Sequence, residues 1–155
     1  VSWYLIVKTL HIISATILFG TGIGIAFFMF RSHFTADLKQ KLYAAENTVL
    51  ADTLFTLPSG AFQLGSGLWL AWYAGYSLRE EWLLFSLLLF SFAGLCWLPV
   101  VWIQLQLRNM IRKSLSHGTP LPSRYNKLFR IWFLLGWPAF LALVTVVYFM
   151  VVKSV

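Results

Sequence analysis

Apolar residues fill the chain in four long runs, separated by short stretches where charge, Gly and Pro collect. The runs extend from about Trp3 to Phe30, Asn47 to Tyr76, Trp82 to Leu107 and Leu128 to Val152. A hydrocarbon core takes about 20 apolar residues of helix, somewhat more with tilt, and each run satisfies that length. The pattern predicts an all-α protein: an integral membrane four-helix bundle forming one transmembrane domain over residues 1–155. Ser77–Glu81 reads as a tight turn, which makes the second and third runs antiparallel neighbours. Gly118, Pro120 and Pro122 mark a turn between the third and fourth runs. Asp37 to Glu46 reads as a short interfacial helix, and no internal repeat is evident.

Composition agrees with lipid as the solvent. The chain is 59% hydrophobic and 11% charged, against about 25% charged residues in ordinary soluble domains. Eight Trp cluster toward the ends of the runs, where interfacial anchoring places them. The first run is too long, and too poor in basic residues ahead of it, for a cleavable signal. Net charge is +7, and in this setting it reads as topology and contact with anionic lipid rather than nucleic acid. Arg31, Lys39 and Lys41 follow the first run, and Arg108, Arg112, Lys113, Arg124, Lys127 and Arg130 surround the loop after the third. The opposite side carries Lys8, Arg79 and Lys153, with Glu80 and Glu81. The excess of positive charge puts both larger loops in the cytoplasm and both termini on the periplasmic side of a bacterial inner membrane.

His11 interrupts the first run, one helical turn after Lys8. Ionisable side chains in hydrocarbon are costly and face a protein interior, a ligand or a partner. Tyr4, Lys8, His11, Ala15, Leu18 and Gly22 share one helical face by their spacing. At helical rise His11 lies roughly 12 Å below the outer end of its run, and Lys8 about 8 Å, within snorkelling reach. Two readings stand for the imidazole: an axial ligand to haem iron, and a structural side chain bonding across helices, which the residue alone favours. Lys8 correspondingly reads as a snorkelling cation or as a counter-charge for a propionate or another acidic group.

The second run carries Thr48, Asp52, Thr56, Ser59, Gln63 and Ser66 at spacings of 4, 4, 3, 4 and 3. This is a polar stripe along one face, which must turn inward because lipid offers it no partner. Interhelical hydrogen bonding is its default use. Asp52 sits near the cytoplasmic end, where an ion pair with Arg130 or Arg31 and proton transfer to a buried site are its two readings. Gly65 and Gly67 fall at the depth of His11 and would leave room for a flat cofactor. Gly20, Gly22 and Gly24 permit close helix contact, and no βαβ context supports nucleotide binding. Pro58, Pro99 and Pro138 each remove a backbone donor within a run and are expected to kink it. Cys96 reads as packing, and a single Cys forms no intramolecular disulfide or Cys-based metal motif. His33 and His117 fall at the cytoplasmic ends and are expected at the surface, so no second His matches the depth of His11.

Four segments carry a resemblance. They are Lys8-x-x-His11; Ala51-Asp52-x-x-Phe55-Thr56-x-Pro58; Cys96-Trp97-Leu98-Pro99-Val100-Val101-Trp102-x-Gln104; and Trp132-Phe133-x-x-Gly136-Trp137-Pro138-Ala139-Phe140. Together they resemble a family of small bacterial integral membrane proteins of unassigned function, over nearly the whole chain. More remotely the chain is similar to HemJ-type protoporphyrinogen oxidases and CopD-like copper-resistance proteins. The first resemblance implies haem b, with His11 as the iron ligand in its Lys-x-x-His setting. On that reading Lys8 steadies a propionate, Gln63, Gly65 and Gly67 line the cofactor, and electrons pass to quinone or to a partner protein. The second axial ligand would come from Met150 or another subunit, or the iron would stay five-coordinate. Later basic catalytic positions of HemJ-type enzymes have no counterpart here, so the resemblance implies the cofactor more than a reaction. Two other functions are compatible with the residues: a non-enzymatic accessory subunit of a larger membrane complex, and a copper-handling protein. The chain is expected to act as a homo-oligomer or as a subunit of a membrane complex.

Overall fold

Each helix starts and stops where local chemistry dictates. The computed structural model of the chain describes residues 1–153, and all regular structure among them is helical. Helix α1 spans Trp3–Ser32, capped by the Ser2 hydroxyl, which accepts from the Leu5 amide at 3.4 Å. Its last carbonyls are satisfied from outside: the Lys41 ammonium donates to Ser32 O at 3.1 Å and to His33 O at 3.3 Å. A cation at a helix C-terminus also complements the partial negative charge there. Helix α2 spans Leu38–Ala51, with the Asp37 carboxylate accepting from the Lys39 amide at 2.9 Å. It runs without a break into a π-helical turn, Asp52–Thr56, and then into α3, Leu57–Tyr73.

The expected interfacial helix at 37–46 is therefore the first part of a longer rod. No Gly or Pro lies between Leu38 and Leu57 to interrupt it, and its apolar positions pack on α1 and α4. The rod ends at Ala74, where Gly75 adopts φ +78° and turns the chain. Helix α4 spans Glu81–His117, ten residues past the expected end, and stops at Gly118 with φ +63°. Glycine is favoured at such a left-handed cap because it has no Cβ to clash. Helix α5, Ser123–Val152, starts directly after the extended Pro122.

Pro58 does not break its rod. Proline cannot donate to the carbonyl one turn earlier and its ring crowds that carbonyl. The chain relieves both by widening, with the Leu57 amide reaching back to Asp52 O. Pro99 and Pro138 lie inside α4 and α5, both of which continue through them.

Helices α4 and α5 form the most extensive pairing, α1 packs on α3, and α2 bridges α1 and α4. The α5 seam, Tyr125, Leu128, Trp132, Leu135, Ala139 and Ala142, is buried or half-buried at alternating spacings of 3 and 4, the knobs-into-holes period. The main core sits at the end where α1 and α4 stop and α2 and α5 start, around Met29, Leu107, Ile111, Tyr125 and Phe129. A smaller core of Ala71, Trp82 and Leu83 closes the opposite end. Elsewhere the surface is apolar: Trp72 is 74% exposed and Leu95 68%. Helices α1, α4 and α5 are long and apolar enough to cross a membrane.

Candidate functional site

Between the two cores, α1 and α3 are held together by polar groups. The inward face of α1 runs through Tyr4, Val7, His11, Ser14 and Leu18, all buried or half-buried. The facing stripe of α3 is Ser59, Gln63 and Ser66, which the π turn and Pro58 bring into line. Ser14 Oγ donates to Ser59 O at 3.1 Å, and Gln63 Nε2 donates to His11 O. His11 Nδ1 lies 2.6 Å from Ser66 Oγ.

Ser66 Oγ also lies 2.6 Å from Phe62 O, one turn earlier on its own helix. A hydroxyl has one proton: when it goes to Phe62 O, Ser66 accepts from His11 Nδ1–H and Nε2 keeps its lone pair. It makes no hydrogen bond among the described residues and is not enclosed by protein. Gly67 leaves the space the imidazole uses: a Cβ there would stand 3.3 Å from His11 Cε1, the carbon between the two ring nitrogens.

Lys8 is exposed, with its ammonium 5.7 Å from the Tyr4 ring centroid. The seam thus passes through Val7 instead of Lys8, and Gly22 also faces outward. Gly65 is exposed and meets no neighbouring side chain, so Gly67 alone of that pair belongs to the His11 site. Tyr4 stacks on Tyr73 at 5.5 Å, and Tyr73 on Trp69 at 5.1 Å. This aromatic cluster closes the α1–α3 interface beyond His11. Its only trace in the sequence is the Trp69-x-x-x-Tyr73 spacing.

Asp52 and Arg130 do not meet. The ion pair among the described residues is Arg112–Glu46 at 2.9 Å, which ties α4 to α2. Arg130 instead lines a cleft with His33, Asn126 and Phe129. Asp52 is 4% exposed and is surrounded by Thr56, Trp97 and Gln104.

His33 departs from its expected surface position. Its ring stacks on Phe129 at 4.3 Å, because the α1 terminus is pulled against α5, and its Nδ1 is buried without a partner. Burial, and then the nearby Lys41 charge, hold this imidazole below the usual value of 6.5. His117 stays exposed, with Nδ1 2.8 Å from Lys113 O.

Across residues 5–154 the sequence matches the model of the family described as "Predicted integral membrane protein (DUF2269)". The chain belongs to that family. No curated protein and no solved structure matches it. The family's description and the three helices long and apolar enough to cross a bilayer agree on an integral membrane protein. No three His, Cys, Asp or Glu side chains converge on a point among the described residues. The α1–α3 interface offers a single imidazole, His11, with Nδ1 engaged by Ser66 and no protein partner at Nε2.

Proposed function

We propose that the protein is a four-span bundle of the bacterial inner membrane that binds haem b through His11 Nε2. Both termini lie on the periplasmic face, and the basic loops are cytoplasmic. The observation that carries the reading is the engagement of Nδ1 by Ser66, which leaves Nε2 as the free base. Metal-bound histidines almost always donate their other ring N–H to a fixed acceptor, which sets tautomer and orientation. Gly67 seats the ring and Gln63 holds the α1 backbone at His11. Lys8, exposed one turn nearer the N-terminus, supplies a cation for a propionate. When bound, haem supplies one-electron redox chemistry at iron. The protein's part is to ligate, to hold the Nδ1 proton and to surround the site with apolar helix. The function would be electron transfer to quinone or to a protein partner.

The same hydrogen bonds supply a second reading. His11, Ser14, Ser59, Gln63 and Ser66 form a polar seam sufficient to dock α1 on α3, as an accessory subunit with no cofactor requires. Protein purified after haem-replete expression decides between the two. Haem binding gives a Soret band that His11→Ala abolishes while the helical circular dichroism is retained. A folded protein with no such band overturns the haem reading and leaves the structural one.

A further inference from the structure

The second rod buries a carboxylate in the apolar part of the chain without a counter-charge. Asp52 opens the π turn and Thr56 stands one turn on, facing it. From α4, Trp97 and Gln104 face the same carboxyl, seven residues apart and therefore on one side of that helix. Gln104 is 2% exposed. All three side chains stand in hydrogen-bonding range of the carboxyl, yet Thr56 Oγ1, Trp97 Nε1 and Gln104 Oε1 are buried and close no bond of good geometry. Buried polar groups are normally satisfied, so three orphans around one acid need an account.

Charged side chains do not supply it. On its own rod the nearest are Glu46, paired to Arg112, and Lys41, bound to the α1 terminus. On α4, Arg108 stands one turn beyond Gln104 with Nη2 on Asn109, and Cys96 adjoins Trp97. On α1 no ionisable residue lies between His11 and Arg31, and on α5 the nearest is Arg130, in the cleft with His33.

A cleft approaches the site from outside and ends one helical turn short of it. This cleft, of about 760 Å³ between α1 and α2, is lined by Arg31, Thr35, Gln40, Ala44, Asn47 and Thr48, among others. It reaches from the basic end to Thr48, one turn before Asp52.

We propose that Asp52 is a proton-binding site within the membrane, loaded through this cleft, held by Trp97 and Thr56 as donors and matched in its protonated form by the unpartnered acceptor Gln104 Oε1. A proton from water in the cleft adds to one carboxylate oxygen. The new acid O–H donates to Gln104 Oε1, and the other oxygen accepts from the Trp97 indole and the Thr56 hydroxyl. All three orphans are then satisfied and the loaded site is neutral, as an apolar surrounding demands. Release returns the proton along the same cleft, and no electron moves. π turns recur at functional sites, and this one begins at the acid. The proposal is independent of haem.

Infrared difference spectra of the full chain in phosphatidylcholine–phosphatidylglycerol vesicles test it across a pH titration. Acidification is expected to raise a carboxylic C=O band that Asp52→Asn removes and Glu46→Gln retains. Gln104→Leu, which removes the acceptor, moves that band to higher frequency. Ala44→Trp, which fills the cleft, slows its exchange in D₂O. If Asp52→Asn does not fold, the Gln104→Leu and Ala44→Trp spectra of the intact carboxyl carry the test. A folded protein with no band assignable to Asp52, or a band indifferent to Gln104→Leu, overturns the site. Exchange unchanged by Ala44→Trp overturns the route.

Discussion

Ser66 has one hydroxyl proton, and its use decides which nitrogen of His11 is free. With that proton on Phe62 O, as the haem reading requires, Ser66→Ala deletes the acceptor for Nδ1–H but leaves the imidazole in place. Interhelical bonds of this kind in membranes are worth about 0.6 kcal/mol, so the loss of stability in detergent unfolding should be small. Haem affinity should fall about 10–100-fold, the usual effect of losing a ligand's outer partner. His11→Ala should abolish binding outright. A titration of apo-protein with haem, followed at the Soret band, separates the two: equal effects would mean that Ser66 does not orient the ring. His33 gives a pH dependence of known sign. Its folded value lies below 6.5, so between the two values the unfolded chain binds more protons and stability rises with pH. Melting temperature should fall as pH drops below 6.5 toward the folded value. His33→Phe, which keeps the stack on Phe129, should flatten that slope, and an unchanged slope would place the titrating group elsewhere.

The second rod owes its function to a change of helical pitch between α2 and α3. Below the π turn, Glu46 meets Arg112 on α4; above it, Gln63 and Ser66 meet His11 on α1. An α-helix advances about 100° per residue, so removing one residue from the turn rotates one set of contacts away from its partners. Leu54 is 56% exposed. Leu54→Ala should therefore change stability by less than about 0.5 kcal/mol, whereas deletion of Leu54 should cost several kcal/mol. Thermal unfolding of the two variants checks this, and matching values would mean that the pitch change carries no alignment. The polar stripe itself is readable in the sequence, because six residues at spacings of 3 and 4 define a face. The π turn is not readable, since one widened turn shifts that period by less than a run of such spacings resolves. The α1 seam is legible at His11 and Leu18 but off by one at Lys8 and Gly22. Small and charged residues alone do not show which side of a helix a neighbour covers. Trp97 and Gln104 gain meaning only once α4 is placed against Asp52, a contact no local pattern encodes.

At the scale of the whole molecule, the four apolar runs establish the architecture, and the extra lengths of α2 and α4 show where it leaves the membrane. Helix α4 has 37 residues, about 55 Å at helical rise, against a hydrocarbon core of about 30 Å. Its surplus lies at the Arg108–His117 end, where Arg112 pairs with Glu46 and the main core is built. Helix α3 has 17 residues, about 26 Å, so with the π turn the second rod also has the length to cross. On the proposed four-span topology the C-terminus returns to the side of the N-terminus, and the positive-charge bias would assign that side to the periplasm. Alkaline phosphatase is active only after export, and green fluorescent protein fused to a chain exported unfolded stays dark. Phosphatase joined after Lys153 should therefore be active and a fluorescent protein there dark, with both results reversed for fusions after Gly118. Activity of the same reporter at both positions would require an even number of crossings between them, or none, which the single rod α5 excludes if it spans the bilayer. The paired fusions thus test the fourth crossing and the orientation in one experiment.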